Sequence, residues 1–462
     1  MDEVTRTGQI RSALVAAGAD SSEIGSRTAL ISSTAVEFRR ATGRAPHWAW
    51  WVPGRIEIFG KHTDYAGGQS LVAAVPRGFA VAAAPRTDGV VSARDARWSS
   101  AMDVHQDDRT RTFHGWSNYV AVVTRRLASN FPGASLGVDL VFASDLPRAA
   151  GLSSSSALVV GIGLALARRG ALAARPEWDA NIRDRLDLAG YFGAVENGLT
   201  FRDLAGASGV GTHGGSEDHT AILNSVSGQV RAFSYVPVAA RGQAALPADW
   251  RFLIMTSGIE AAKAGAARER YNRASLGTRA LMEIWRQHSG DTGARTLAEV
   301  VGPGINGESA LRAAIRRHAH ADFTADALER RLAHLVAENG RVLPALEAVR
   351  RADPVAIGDL AAASQEDAER LLGNQVPQTQ ALAAFARESG AFAASSFGAG
   401  FGGSVWALAS ADAASEVLER WRARYLAHTP ESTNISGAIV RPGPPAVAID
   451  LESDDDLSHM KS

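Results

Sequence analysis

The run LGVDLVFASDLPRAAGLSSSSALVVGIGLALARR, Leu136 to Arg169, constrains the chain more than any other stretch. Its first part is a β-rich apolar strand that stops at Pro147. Its second part, from Ser153 to about Arg169, is a helix whose apolar interior begins at Ala157. Several strands precede this strand, loop and helix, an order that describes a mixed α+β domain and not alternating βαβ units. The small residues Ala149, Ala150 and Gly151 let backbone approach a ligand, and Ser153, Ser154, Ser155 and Ser156 fall at the start of the helix. A helix N-terminus offers free N–H groups and a positive dipole end, which favour phosphate, and a hydroxyl there can also bind Mg²⁺. Ordinary N-capping is the alternative, but a cap needs one serine and four stand here in succession.

A second stretch, GRIEIFGKHTDYAGG from Gly54 to Gly68, crowds Arg55, Glu57, Lys61, His62 and Asp64 between glycines. The residues leading into it, WAWWVPGRIEIFG, read as a strand in which Trp50, Val52, Ile56 and Ile58 alternate around Pro53 and Gly54, a pattern expected at a bulge or an edge. Composition sharpens one position. Of 48 basic residues only Lys61, Lys263 and Lys461 are lysines, so a lysine inside this loop is a choice.

The third cluster, GAGFGG from Gly398 to Gly403, satisfies a dinucleotide pattern at Gly398, Gly400 and Gly403, yet it precedes the strand Val405 to Leu408 and opens no helix. A glycine turn lining a pocket fits better, with a purely structural hairpin turn as the other reading. Between the clusters, GVGTHGGSEDHTAIL places Glu217, Asp218 and His219 at the end of a small-residue loop, before an apolar strand or helix. An acid held there can act as a general base, although the same residues describe many solvated turns. Glu196, in YFGAVEN, ends a helical stretch and reads in isolation as a surface glutamate.

A chain of 462 residues exceeds what one core usually supports, so two domains are expected, 1–235 and 236–450, followed by a polar, disordered tail at 451–462. Helices are expected over Arg6 to Thr42, Trp116 to Arg126, Ile259 to Gln287, Thr324 to Ala352, Pro354 to Leu372 and Gln378 to Glu388, and strands at Leu71 to Val75, Phe79 to Ala84 and Trp250 to Gly258. The net charge of -1 offers nothing to nucleic acid or an anionic membrane. The absence of cysteine removes disulfides, thiolate metal sites and cysteine nucleophiles. The N-terminal residues lack a secretory pattern, and the longest apolar run, Ala157 to Ala167, is far short of the roughly 18 residues a membrane span needs. A cytoplasmic protein acting on a small ligand, monomeric or a weak homo-oligomer, is the expectation.

In this order the clusters resemble those of the GHMP small-molecule kinases and, within them, the galactokinase family. GRIEIFGKHTDYAGG looks like the galactokinase signature, PRAAGLSSSSAL like the phosphate loop, and SSFGAGFGGSVWAL like the third motif, with WSNYV at Trp116 and ERYN at Glu269 as further likenesses. The resemblance implies a two-domain α+β fold, an N-terminal mixed sheet with helices and a C-terminal α+β domain, with the active site in the cleft between them. It implies transfer of the ATP γ-phosphate to the anomeric hydroxyl of galactose or a related sugar, with Mg²⁺. The matching positions are Asp218 facing that hydroxyl, Arg55 beside it, His62, Asp64 and Tyr271 on the sugar, and Gly151, Leu152 and the serine run with Trp116 on the nucleotide. Ser155 and Glu196 match the metal side.

Two departures bear on this reading. Galactokinases usually have glutamate, near the far end of the hexose, where this chain has Lys61. Either Lys61 makes a salt bridge or points to solvent and galactose remains the substrate, or its ammonium group meets a sugar carboxylate, making a uronic acid such as galacturonate the acceptor; arabinose is a further candidate. The family's Met-Asp-Gln is replaced by Glu217, Asp218 and His219, and the 22 positions from Glu196 to Asp218 exceed the usual spacing because of an insertion around TFRDLAGASG. A non-catalytic sugar and ATP sensor is the reading from another class; such sensors tend to lose phosphate-loop residues, and GLSSSSAL is intact here. A serine hydrolase reading of the serine run fails because Ser153 to Ser156 lie in no G-x-S-x-G elbow.

Overall fold

The computed structural model describes residues 3–98, 100–147, 150–259, 265–302, 306–430 and 434–451. Among them the strands are β1 (Trp48–Phe59), β2 (Gln69–Pro85), β3 (Val90–Asp95), β4 (Ser100–His105), β5 (Val138–Ser144), β6 (Gln229–Ser234), β7 (Ala239–Ala245), β8 (Trp250–Thr256), β9 (Ala393–Phe397), β10 (Ser404–Ser410), β11 (Gly437–Val440) and β12 (Val447–Asp450). They build two sheets, one along β12-β1-β2-β5-β3-β4 with β6 on β2 and β7 on β6, the other in the order β11-β8-β10-β9. Among the described strands only the β3–β5 pairing is parallel, so the first sheet is mixed and the fold is α+β.

The proline and glycine in β1 do what their chemistry requires. The β1–β2 register slips between Pro53 and Arg55, a bulge, and β12 covers only Trp48 to Trp51, so Pro53 needs no partner on its outer side. Opposite the bulge, Gly78 lies so close that a Cβ there would stand 2.3 Å from the Val52 carbonyl oxygen. That contact carries the chain through Pro76 to Gly78 without a break, and the two strands expected at 71–75 and 79–84 are one long strand.

Other boundaries also move. The helix expected over Arg6 to Thr42 is two, Glu3–Ala16 and Ser21–Thr42, parted at Gly18 (φ 80°) and restarted by Asp20, whose carboxylate accepts the Ser22 amide at 2.9 Å. The helix at Trp116 runs on to Asn130, and the one from Pro354 ends in a π turn at Ala368–Leu372.

Helix Ser154–Arg169 is buried nearly all round, with Ala157, Leu158, Val159, Val160 and Ile162 in the main core and Gly161 and Gly163 admitting Val81 and Phe192. That core continues through Trp250, Phe252, Ile254 and Trp406 into the second sheet. A division after residue 235 would part β6 from β7, which are antiparallel partners; the sheets separate instead between Ala245 and Trp250, and β12 returns to the first. Leu451, assigned to the tail by sequence, is buried and its amide donates to the His47 carbonyl at 2.9 Å; residues 452–462 lie outside the described residues. Among the described residues no helix is long and apolar enough to cross a membrane.

Candidate active site

Strand periodicity puts Arg55 and Glu57 on one face of β1, while Ile56 and Ile58 enter the main core. Arg55 gathers three segments. Its Nη2 lies 2.6 Å and its Nε 2.8 Å from Asp218 Oδ1, on the first turn of helix Glu217–Asn224, and its Nη1 donates to the Gly151 carbonyl at 2.7 Å. Ser156, in the first turn of helix Ser154–Arg169, presents one hydroxyl proton to two carboxylates, Glu196 Oε2 at 2.9 Å and Asp218 Oδ2 at 3.2 Å.

Glu196 is therefore no surface residue; it is buried at the end of helix Arg185–Asn197. His219 Nε2 stands 2.8 Å from its Oε2, in ion-pair range but without the direction of a straight hydrogen bond. The insertion that lengthens the path to Asp218 folds back on the helix Trp116–Asn130: Arg126 Nη2 donates to the Leu199 carbonyl at 2.6 Å and Asn130 Nδ2 to that of Ala205 at 3.1 Å. Gly209 then returns against Glu196, where a Cβ would meet the Glu196 carbonyl oxygen at 2.5 Å.

These groups line a cleft of about 480 Å³, open to solvent, together with His62, Asp64 and Tyr271. His62 takes a left-handed φ of 57°, and its Nδ1 shares a hydrogen bond of 2.8 Å with the Tyr65 hydroxyl. The Tyr271 ring lies 5.2 Å from the His62 ring. Asp64 accepts the amides of Tyr65 at 2.8 Å and Glu217 at 3.2 Å. The glycines before Asp218 are needed here, since a Cβ on Gly215 would fall 2.4 Å from Asp64 Oδ2.

Burial alone would lower the Arg55 guanidinium, and the carboxylates of Asp218, Glu217 and Glu57 outweigh it, so the group is raised and stays charged. Glu57 is pushed up to about 7 by burial, against the pull of Arg55 and Lys61. Glu217 is raised well above its ordinary range, first by burial and then by Glu57. Neither acid was singled out as a site residue from sequence; the same-face spacing of Arg55 and Glu57 was the available signal for one, and Glu217 had no signal beyond its neighbours.

The serine run separates this cleft from a second one of about 1350 Å³, which Ser154, Ser155, Trp116 and Tyr119 line. Ser155 bonds through its side chain to Tyr119, whose hydroxyl burial pushes up to about 12. The hydroxyl beside Glu196 is that of Ser156, while Ser155, matched with Glu196 to the metal side by resemblance, lines the second cleft. Ser153 sits at φ 60° and caps nothing with its side chain; its Oγ is buried without a hydrogen-bond partner. Leu152 is buried, and its carbonyl accepts the Arg55 amide at 3.3 Å. Gly151 (φ 75°) backs onto Gly398 (φ 78°), where a Cβ would meet the Gly151 oxygen at 3.0 Å. GAGFGG is the turn between β9 and β10, and its Gly398 and Ala399 also line the first cleft.

Lys61 does not line the cleft. Gly60, at φ 104°, turns the chain so that the Lys61 side chain is buried against helices Ala325–Arg350 and Pro354–Asp367. Its Nζ donates to Ser364 Oγ at 2.7 Å and lies 3.9 Å from Glu338 Oε1. Glu338 also accepts the Gly60 amide at 2.9 Å, the Ser364 hydroxyl at 3.0 Å and Arg341 Nη1 at 3.0 Å. Burial would raise this carboxyl, and Lys61, His334 and the Gly60 amide bring it down to about 2. Of the two readings of Lys61, the salt bridge is the one the structure shows, and the ammonium group is unavailable to a sugar carboxylate in the cleft.

Three family models match successive parts of the chain: the galactokinase galactose-binding signature over residues 36–85, the GHMP kinases N terminal domain over 118–197 and the GHMP kinases C terminal over 345–427. The chain is 28% identical over 401 residues to a galactokinase of Mycobacterium tuberculosis, covering 86% of this chain and 98% of the relative. It is 27% identical over 388 residues to one of Exiguobacterium sibiricum, covering 81% and 87%. The crystal structure of Lactococcus lactis galactokinase complexed with galactose superposes with a TM-score of 0.72 at 22% identity, covering 90% of this chain and 99% of that one. With the signature on the strand and loop that carry Arg55, His62 and Asp64, and the N-terminal model on the serine helix and Glu196, the chain is similar to the galactokinases among the GHMP kinases at the positions that build the cleft.

Proposed function

We propose that this ATP-dependent sugar kinase transfers the γ-phosphoryl group to the anomeric hydroxyl of galactose or a closely related hexose, with Asp218 as the base. The observation that carries this reading is the contact of Arg55 with Asp218, 2.6 Å, beside Ser156 at the tip of the buried helix. Phosphoryl transfer asks a protein to align two oxygens and to neutralise charge on the moving group. The sugar, held by His62, Asp64 and Tyr271, would present its hydroxyl to Asp218; the carboxylate takes the proton as the oxygen attacks phosphorus, and the ADP oxygen leaves. Arg55 holds Asp218 ionised and in one orientation, since two of its nitrogens meet the same oxygen.

The nucleotide fits the second cleft, with Trp116 toward the base and Gly151 to Ser156 along the phosphates. The buried, unpartnered Ser153 Oγ and the free amides of the helix start are donors that suit a phosphate. Among the described residues no cluster of three or more histidines and acids is arranged to hold a metal. That suits Mg²⁺ bound mainly by phosphate oxygens and waters, with Glu196 and a hydroxyl of the serine run as its protein side. Such an ion would offset phosphate charge.

The test is ADP release on mixing the protein with ATP, Mg²⁺ and a panel of galactose, galacturonate and arabinose. Turnover on galactose with phosphate recovered at C1 is expected. Binding without turnover across the panel would replace the kinase with a sensor.

A further inference from the structure

The first cleft holds more acid than phosphoryl transfer uses. Asp218, Glu196 and Asp64 have roles above, but Glu57 and Glu217, both 4% exposed, line the same cleft with none. Each has one carboxyl oxygen, Oε1, buried and without a hydrogen-bond partner, which is rare for buried acceptors. The cation beside them is already engaged. Arg55 gives Nε and Nη2 to Asp218 and Nη1 to Gly151, and its nearest approach to Glu217 is 3.7 Å. Lys61 attracts Glu57 through space but bonds to Ser364 behind the loop. Among the described residues around the cleft, five carboxyl groups thus face one guanidinium and the imidazoles of His62 and His219.

We propose that the carboxyl groups of Glu57 and Glu217 form a cation-selective subsite, and that the preferred acceptor is an aminohexose whose ammonium group lies between them. This rests on the kinase reading and names its substrate class. A hydroxyl brings one donor and no charge, whereas an ammonium group brings three donors and a positive charge to set against two carboxyl groups that Arg55 does not hydrogen-bond. A metal ion is the competing cation, but the acids here are not arranged as a metal cluster. A uronic acid would add a further carboxylate to this wall and is the least suited acceptor.

The experiment compares kcat/KM of the full chain, with ATP and Mg²⁺, for galactose, 2-amino-2-deoxygalactose, 6-amino-6-deoxygalactose, the N-acetyl forms of both amines, and galacturonate. One of the two amines should exceed galactose by about 10-fold or more, the scale of one charge-assisted contact. Acetylating that amine should abolish the advantage, and galacturonate should be slowest. Glu57→Gln and Glu217→Gln should each reduce the ratio of amine to galactose. Galactose preferred over both amines, or an amine preference that survives acetylation or the double Gln variant, overturns the subsite while leaving the kinase intact. Turnover on no sugar overturns both. If the double variant does not fold, acetylation in the unaltered protein decides.

Discussion

Replacing Lys61 by methionine removes one charge and keeps the length and apolar volume of the side chain, so it isolates the ion pair with Glu338. Breaking a buried pair by deleting one partner costs about 3–5 kcal/mol when the remaining charge is left alone. Here Glu338 keeps Arg341, the Gly60 amide and the Ser364 hydroxyl, so a loss of about 2–3 kcal/mol is expected. The Glu338 carboxyl gives an independent figure: held at about 2 against an ordinary 4.5, it carries about 3 kcal/mol in favour of the folded state. Because its folded value is depressed, that stability is present above pH 4.5 and disappears as pH falls toward 2. Urea unfolding followed by tryptophan fluorescence at pH 7 and pH 4 would measure both effects, with Trp406 and Trp250 reporting the second sheet and its core. Lys61→Met should lose stability at pH 7, depend less on pH in the acid range, and leave the order of sugar preference unchanged. A Lys61→Met protein within about 1 kcal/mol of the parent at pH 7, or one with a reordered sugar preference, would refute the salt-bridge account.

Asp218→Asn should lower kcat by about 10²-fold or more with the melting temperature nearly kept, as loss of a general base does; full activity would remove Asp218 from the mechanism. Gly398→Ala forces a side chain onto a left-handed backbone at 3.0 Å from the Gly151 oxygen, so KM for ATP should rise about 5- to 30-fold, while an unchanged value would show that the two loops do not support each other. Glu57 has the opposite sign to Glu338. Its folded value, raised to about 7, stabilises the protein below pH 4.5, and this is lost as pH climbs through 7. Glu57→Gln should therefore flatten the fall of melting temperature between pH 5 and 7, and identical slopes in the two proteins would contradict the assignment.

What the sequence made legible was local. Alternation around Pro53 and Gly54 located the bulge, and the serine run located a helix start, because both follow from backbone chemistry within a few residues. The meeting of Arg55 with Asp218, 163 positions apart, was accessible only through family resemblance, since no periodicity links separate loops. Lys61 shows the limit most clearly. Its direction depends on the left-handed turn at Gly60 and on Glu338, 277 positions away, and neither can be read from GKHTDY. The serine run shows the same limit: which of four serines meets Glu196 depends on the helix phase at its first turn, and Ser153 takes a left-handed conformation that the pattern does not reveal.

The return of β12 to the first sheet has a consequence for how the chain is made. Trp48 to Trp51 are hydrogen-bonded on their outer side by Val447 to Asp450, so this border of the sheet stays open until the roughly 400 residues between them have been made. Until then a nascent chain carries β1 paired with β2 on one side and open on the other, with helix Ser21–Thr42 packed against both strands as its early shelter.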